Sequence, residues 1–178
     1  TGHPDSVAIR NKQMTTRMLD LIFVINWLSR LNLGHVTSEL SQNLNLGNIS
    51  VGGHSFGGAT ATFAAFQDKR IKSCFVLDSW TSPLPDFVVD SGLKVPFLFV
   101  GRPNWNDSGY PKNYLKLDVL LKNSTENKYR LFIKNTLHLD YTDIPLMSPI
   151  VNLFMDVGTL RPKESLPLIN NLVFSLKF

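Results

Sequence analysis

Cysteine is nearly missing from this chain: Cys74 stands alone among 178 residues. A single thiol excludes an intrachain disulfide. With only four histidines beside it, no spacing suited to a metal appears and no cofactor is called for. Set in the apolar run Cys74-Phe75-Val76-Leu77, it reads as a small buried hydrophobe. A surplus of one charge is missing too. Eighteen Lys and Arg against fourteen Asp and Glu leave a net charge of +4. The cations are scattered, with no basic run and no aromatic–basic interleaving, which argues against nucleic acid as a partner. No apolar run is long enough to cross a bilayer, since Asp20 and Asn26 close off Leu21 to Ile25. Repeats, low-complexity tracts and linkers are also lacking. The chain opens on Thr1 without a signal-peptide pattern and reads as a piece of something longer. The compartment, secreted or cytoplasmic, therefore stays open. Three Asn-x-Ser/Thr sites occur, at Asn48, Asn106 and Asn123. The first abuts an apolar strand and makes a poor acceptor.

What is present suits a packed domain. Hydrophobic residues make up 43%, enough for one core, and residues 1–178 are read as one partial domain. Residues 9–31 predict a helix, because Met14, Met18, Leu21, Ile25 and Leu28 recur at the helical period and Gly34 supplies a stop. Ile49 to Val51, Lys72 to Leu77, Val95 to Val100 and Tyr129 to Ile133 predict four strands. Each is reached after a helix or loop, which implies a parallel sheet. Asn113 to Leu121 predicts a helix, and Pro149 to Phe154 and Ser165 to Lys177 predict closing helices.

The most informative stretch is Gly53-His54-Ser55-Phe56-Gly57-Gly58-Ala59-Thr60. An apolar strand leads in and a small-residue helix pattern, Ala59 to Phe66, leads out. A serine at the apex of such a turn is the nucleophile elbow of an α/β-hydrolase. A serine hydroxyl is weakly nucleophilic unless held exposed beside a base. The turn forces Ser55 into strained backbone space, which Gly53 and Gly57 are expected to permit. The N–H of Phe56, at the helix start, is positioned for a developing oxyanion.

In this fold the order along the chain is serine, acid, histidine. Asp78 ends the strand Cys74 to Leu77, at the carboxyl edge where open α/β sheets place their sites. Asp107, in the loop after Val95 to Val100, is the rival acid, because most α/β-hydrolases draw theirs from that later strand. On the residues alone both remain open. His138 follows the last strand and is the only histidine downstream of both acids, which makes it the general base. His54 is expected to pack under the elbow, away from the serine oxygen. His3 and His35 have no visible role, and Asp140 is too near His138 in sequence to orient it.

The elbow, the segment Leu77-Asp78-Ser79-Trp80 with Pro83-Leu84, and His138 followed by Tyr141-Thr142-Asp143 resemble one family. It is that of the plasma-type platelet-activating factor acetylhydrolases, also called lipoprotein-associated phospholipase A2. Ile9-Arg10-Asn11-Lys12-Gln13 is similar to the start of the helix before that family's elbow. The likeness extends over roughly residues 7–145, and the Leu-Asp-x-Trp-x-x-Pro-Leu segment is its most specific part. The resemblance implies an α/β-hydrolase fold, here the carboxyl-terminal half of a mainly parallel sheet. It favours Asp78 over Asp107. It also implies calcium-independent attack by Ser55 on the sn-2 ester of phospholipids with a short or oxidised acyl chain. Trp80, Leu84 and Phe87 would line or flank the acyl pocket. A membrane or lipoprotein surface is a further expected partner, and Leu146, Ile150, Leu153 and Phe154 form one candidate patch for it.

Two expectations follow from four strands where a complete sheet of this fold usually has eight. The elbow strand becomes a sheet edge. The second oxyanion donor, from a loop far upstream in the family, is outside this chain. Losing one such donor costs ~10²–10³ in rate, so the 178 residues alone are not expected to be a competent catalyst. Two other readings remain. One is a cutinase-like or dienelactone-hydrolase-like carboxylester hydrolase using Asp107. The other is a non-catalytic lipid- or partner-binding relic.

Overall fold

The computed structural model describes residues 4–105, 111–147, 150 and 154–175. Its spine is a parallel four-stranded sheet in the order β1-β2-β3-β4. The strands are β1 Ile49–His54, β2 Ile71–Leu77, β3 Phe97–Gly101 and β4 Lys128–Phe132. Sequential order in space means that each crossover moves one position along the sheet, as right-handed βαβ units do. Among the described residues β1 is one edge, with Ser50 and Gly52 exposed.

The helices are α1 Pro4–Asn32, α2 Phe56–Gln67, α3 Asp86–Ser91, α4 Asn113–Asn123, α5 Ile144–Met147 and α6 Pro162–Ser175. A 3₁₀ turn spans His138–Tyr141. α3 has no counterpart in the periodicity, because a helix of six residues is too short to display one. β3 starts at Phe97 rather than Val95. Pro96 has no N–H to give a ladder, although its carbonyl accepts from Cys74 N (2.9 Å). The predicted helix Pro149 to Phe154 lies mostly outside the described residues, as does Lys177.

The strand β3 explains why there are two cores. All five of its residues are buried, so its alternating side chains must fill both faces. Phe97 and Phe99 join Met14, Met18, Phe63, Cys74 and Leu117 on one face. Leu98 and Val100 join Ile133, Tyr141 and Ile169 on the other. Cys74 is buried there as an inert thiol, its pKa pushed up to about 12 by burial. This layering brings the carboxyl ends of β1, β2 and β4 to one rim. The loops that leave that rim carry Ser55, Asp78 and His138.

Candidate active site

Ser55 sits at φ 57°, ψ −122° between β1 and α2. That is left-handed space that a residue with a side chain occupies only under strain. Hydrogen bonds on both sides enforce it: Ser55 N–H donates to Leu77 O (3.0 Å), and its carbonyl accepts from Trp80 N–H (3.0 Å). The glycines around it have unequal roles. A Cβ at Gly53 would come within 2.5 Å of the Gly57 backbone, and one at Gly58 within 2.9 Å of Ser79. A Cβ at Gly57 would meet nothing within 4 Å. Close approach of strand and helix therefore demands Gly53 and Gly58, whereas Gly57, expected to give the turn freedom, stands where a Cβ would meet no neighbour.

Asp78 also has a positive φ, 38°, and is fully buried. Its strained backbone turns the carboxylate from the end of β2 toward the loop after β4. There Asp78 Oδ2 lies 2.6 Å from His138 Nδ1, and His138 Nε2 lies 2.9 Å from Ser55 Oγ. Because a carboxylate only accepts, Nδ1 carries the proton, and Nε2 is left to accept from the serine hydroxyl.

The 3₁₀ turn holds His138 in place. Asp140 Oδ2 accepts from Leu137 N–H (2.6 Å) and Gly158 N–H (2.6 Å), so this carboxylate braces the loop and does not touch the imidazole. Thr136 Oγ1 binds both Ile133 O (2.7 Å) and the Tyr141 hydroxyl (2.8 Å). Burial pushes the Tyr141 phenol well above its ordinary range and keeps it neutral.

Several neighbours of this constellation carried no signal in the sequence. Arg102, one residue past β3, places Nε 3.0 Å from Asp78 Oδ2, and its backbone N–H points at Oδ1 (3.3 Å). Its guanidinium stacks on Trp105 (4.5 Å), whose ring meets His138 edge-on at 5.6 Å. Tyr114 donates to Arg102 O (2.6 Å) and stands 3.3 Å from Asp78 Oδ1. Burial, chiefly, pushes its pKa up. His54 does not simply pack under the elbow. Its ring lies 4.5 Å from that of His138, and its Nε2–H donates to the His138 carbonyl (3.0 Å). Burial, then the neighbouring imidazole, pushes its pKa down to about 4, so it is neutral. Only the fold brings these residues to Asp78 and His138 from separate elements.

The three residues assigned to an acyl pocket separate. Trp80 stands beside Phe56, ring centroids 5.9 Å apart. Leu84 is 2% exposed and belongs to the core. Phe87, on α3, packs against Phe63 and Phe66 at the far half of α2. Of these, Trp80 alone is placed beside the residue that follows Ser55. Phe56 opens α2, so its N–H belongs to the helix's positive end. Asp107, Asn106, His3 and Leu153 lie outside the described residues. Asn123 uses its side-chain amide on Val89 O (3.1 Å). Among the described residues no cluster suited to a metal ion occurs, and no helix is long and apolar enough to cross a membrane.

The sequence profile of a family described as platelet-activating factor acetylhydrolase, isoform II, matches residues 3–178. The chain belongs to that family. Platelet-activating factor acetylhydrolase from Gallus gallus is 27% identical over 175 residues, covering 92% of this chain and 40% of that protein. The Canis lupus familiaris protein of the same name is 26% identical, covering 78% and 32%. The chain thus spans well under half the length of these relatives of its family. A solved ferulic acid esterase from Streptomyces cinnamoneus superposes with a TM-score of 0.69 at 27% identity, over 92% of this chain and 47% of that one. The fold is the α/β-hydrolase fold, represented among the described residues by four parallel strands.

Proposed function

We propose that residues 1–178 are the carboxyl-terminal part of an α/β-hydrolase catalytic domain, and that the complete protein is a serine carboxylester hydrolase. The observation that carries the reading is the unbroken relay from Asp78 through His138 to Ser55, at 2.6 and 2.9 Å. In this reading His138 Nε2 takes the serine proton as Oγ attacks the ester carbonyl, and Asp78 stabilises the imidazolium that forms. The Phe56 N–H contributes one donor to the oxyanion, and a second comes from outside this chain. The imidazolium then protonates the departing alkoxide. Water, deprotonated by the same histidine, releases the acyl group from Ser55.

The substrate we infer is a phospholipid with a short or oxidised sn-2 acyl chain. Membership of the acetylhydrolase family supports it. The exposed Leu146 and Met147, on the helix that contacts the His138–Tyr141 turn, with exposed Ile150 and Phe154 following them in the chain, support contact with a membrane or lipoprotein surface. The likeness to the ferulic acid esterase favours a second reading, a phenolic ester as substrate.

Turnover of a short-chain phospholipid and of a feruloyl ester by the complete protein separates the two. In the same assay Ser55→Ala should abolish turnover and labelling by a fluorophosphonate probe. Asp78→Asn should lower kcat by about 10⁴, because an amide holds the imidazole in the wrong tautomer. A folded wild-type protein that resists the probe is the non-catalytic relic, and the proposal fails.

A further inference from the structure

Phe56, the residue after Ser55, is flanked by two arginines of α1. The Arg10 guanidinium lies 5.9 Å from the Phe56 ring centre and 5.8 Å from that of Trp80. Arg17 lies 5.1 Å from Phe56. Residues seven apart share one helix face about 10 Å apart along the axis, so the two cations approach the ring from different levels.

Both side chains are exposed, and neither has a carboxylate partner among the residues whose side chains are described, which excludes residues 4–7. Asp20, one turn beyond Arg17, forms no ion pair with it there. Stacking engages the flat face of a guanidinium and leaves its in-plane N–H groups free for another acceptor. In Arg10 one of these is used, by Gln13 Oε1 at 2.9 Å. The others form the planar fork that suits a phosphate.

We propose that Arg10 binds the phosphate diester of a glycerophospholipid substrate, with Arg17 adding a second positive charge behind it. The inference rests on the esterase reading of Ser55. In a glycerophospholipid the phosphorus is only a few bonds from the sn-2 carbonyl. An anion-binding fork one side chain away from the nucleophile therefore selects the phospholipid over a neutral glyceride. It also orients the scissile ester before attack. A carboxylate at the end of an oxidised acyl chain has similar chemistry, but the phosphate is the anion we assign to Arg10.

The test uses water-soluble esters in the complete protein, so that surface binding does not enter. Dibutyroylglycerophosphocholine and dibutyroylglycerol share their acyl groups and differ in the phosphocholine. Arg10→Gln should lower the ratio of their kcat/KM values roughly tenfold or more, mainly through KM, the size expected for one charged hydrogen-bonding contact. Arg17→Gln should lower it less. Lys12→Gln, which removes a charge from the other side of α1, should leave the ratio at the wild-type value.

A ratio insensitive to Arg10, or equally sensitive to Lys12, overturns the phosphate site. So does a loss confined to a phosphate-free glycerol ester bearing an sn-2 glutaroyl group, which would assign Arg10 to the acyl end. If the wild-type protein hydrolyses none of the glycerol esters, the esterase reading falls and this site with it. If it hydrolyses them and Arg10 does not discriminate, the phosphate site alone falls.

Discussion

Arg102 and His138 compete for one oxygen: Oδ2 of Asp78 lies 3.0 Å from Arg102 Nε and 2.6 Å from His138 Nδ1. The carboxylate is fully buried and its two cationic or polar partners are not, with Arg102 14% and His138 29% exposed by side chain. A buried anion is tolerated only when its lone pairs are engaged. The arginine therefore serves the fold as well as the site, because it balances a charge that the imidazole alone would have to face.

Arg102→Met removes that balance while keeping much of the side-chain volume. Asp78 then loses the positive charge beside it while keeping the backbone N–H at that position, and Trp105 loses the guanidinium stacked on it. The expected cost is about 3 kcal/mol in urea denaturation, the scale for breaking one side of a buried ion pair. Unchanged stability would mean that Asp78 does not depend on the arginine.

His54 gives stability a pH dependence of known sign. Its folded pKa is about 4 against an ordinary 6.5, so between these values the unfolded chain binds a proton that the native protein refuses. Stability conferred by the neutral ring is present above about 6.5 and is lost as pH falls toward about 4. The ring is only half-buried, so the loss should be on the order of 2 kcal/mol. His54→Gln keeps an N–H donor for the His138 carbonyl but cannot titrate. Denaturant midpoints followed across this window should fall less steeply in that variant than in the wild type.

The elbow glycines should not respond alike. Gly53→Ala drives a Cβ to 2.5 Å from the Gly57 backbone, and rigid backbone cannot yield without moving strand or helix. A loss of about 3 kcal/mol or more is expected. Gly57→Ala enters open space inside α2 and should be neutral or stabilising by about 0.5 kcal/mol. Thermal unfolding of the two variants side by side separates a steric requirement from mere occurrence in a motif.

The parts legible in the sequence are those that local chemistry writes along the chain. Apolar runs at Cys74–Leu77 and Val95–Val100 identify strands because a sheet buried on both faces needs apolar residues in succession. The helical period of Met14, Met18, Leu21 and Ile25 identifies α1 because one stripe must face the core. The elbow is legible since a strand, a turn and a helix meet within a few residues. A motif records residue type and not which backbone atoms stand nearby, so it cannot tell Gly57, in open space, from Gly53, which abuts backbone. The family resemblance places Leu84 and Phe87 together at the acyl pocket, because both follow the same motif segment. The chain then sends one into the core and the other onto α2.

By itself, then, the order of residues determined a parallel α/β sheet, a serine held at a strained turn, and an acid and a histidine at the ends of later strands. Tertiary structure alone decided which groups touch. His54 reaches the His138 carbonyl, Arg102 reaches Asp78, and Arg10 reaches Phe56 and Trp80 across gaps of 84, 24 and 46 or 70 positions. The reason is physical: periodicity and turn propensity act over a few residues, whereas hydrogen bonds and stacked charges depend on distances that exist only once the sheet has assembled.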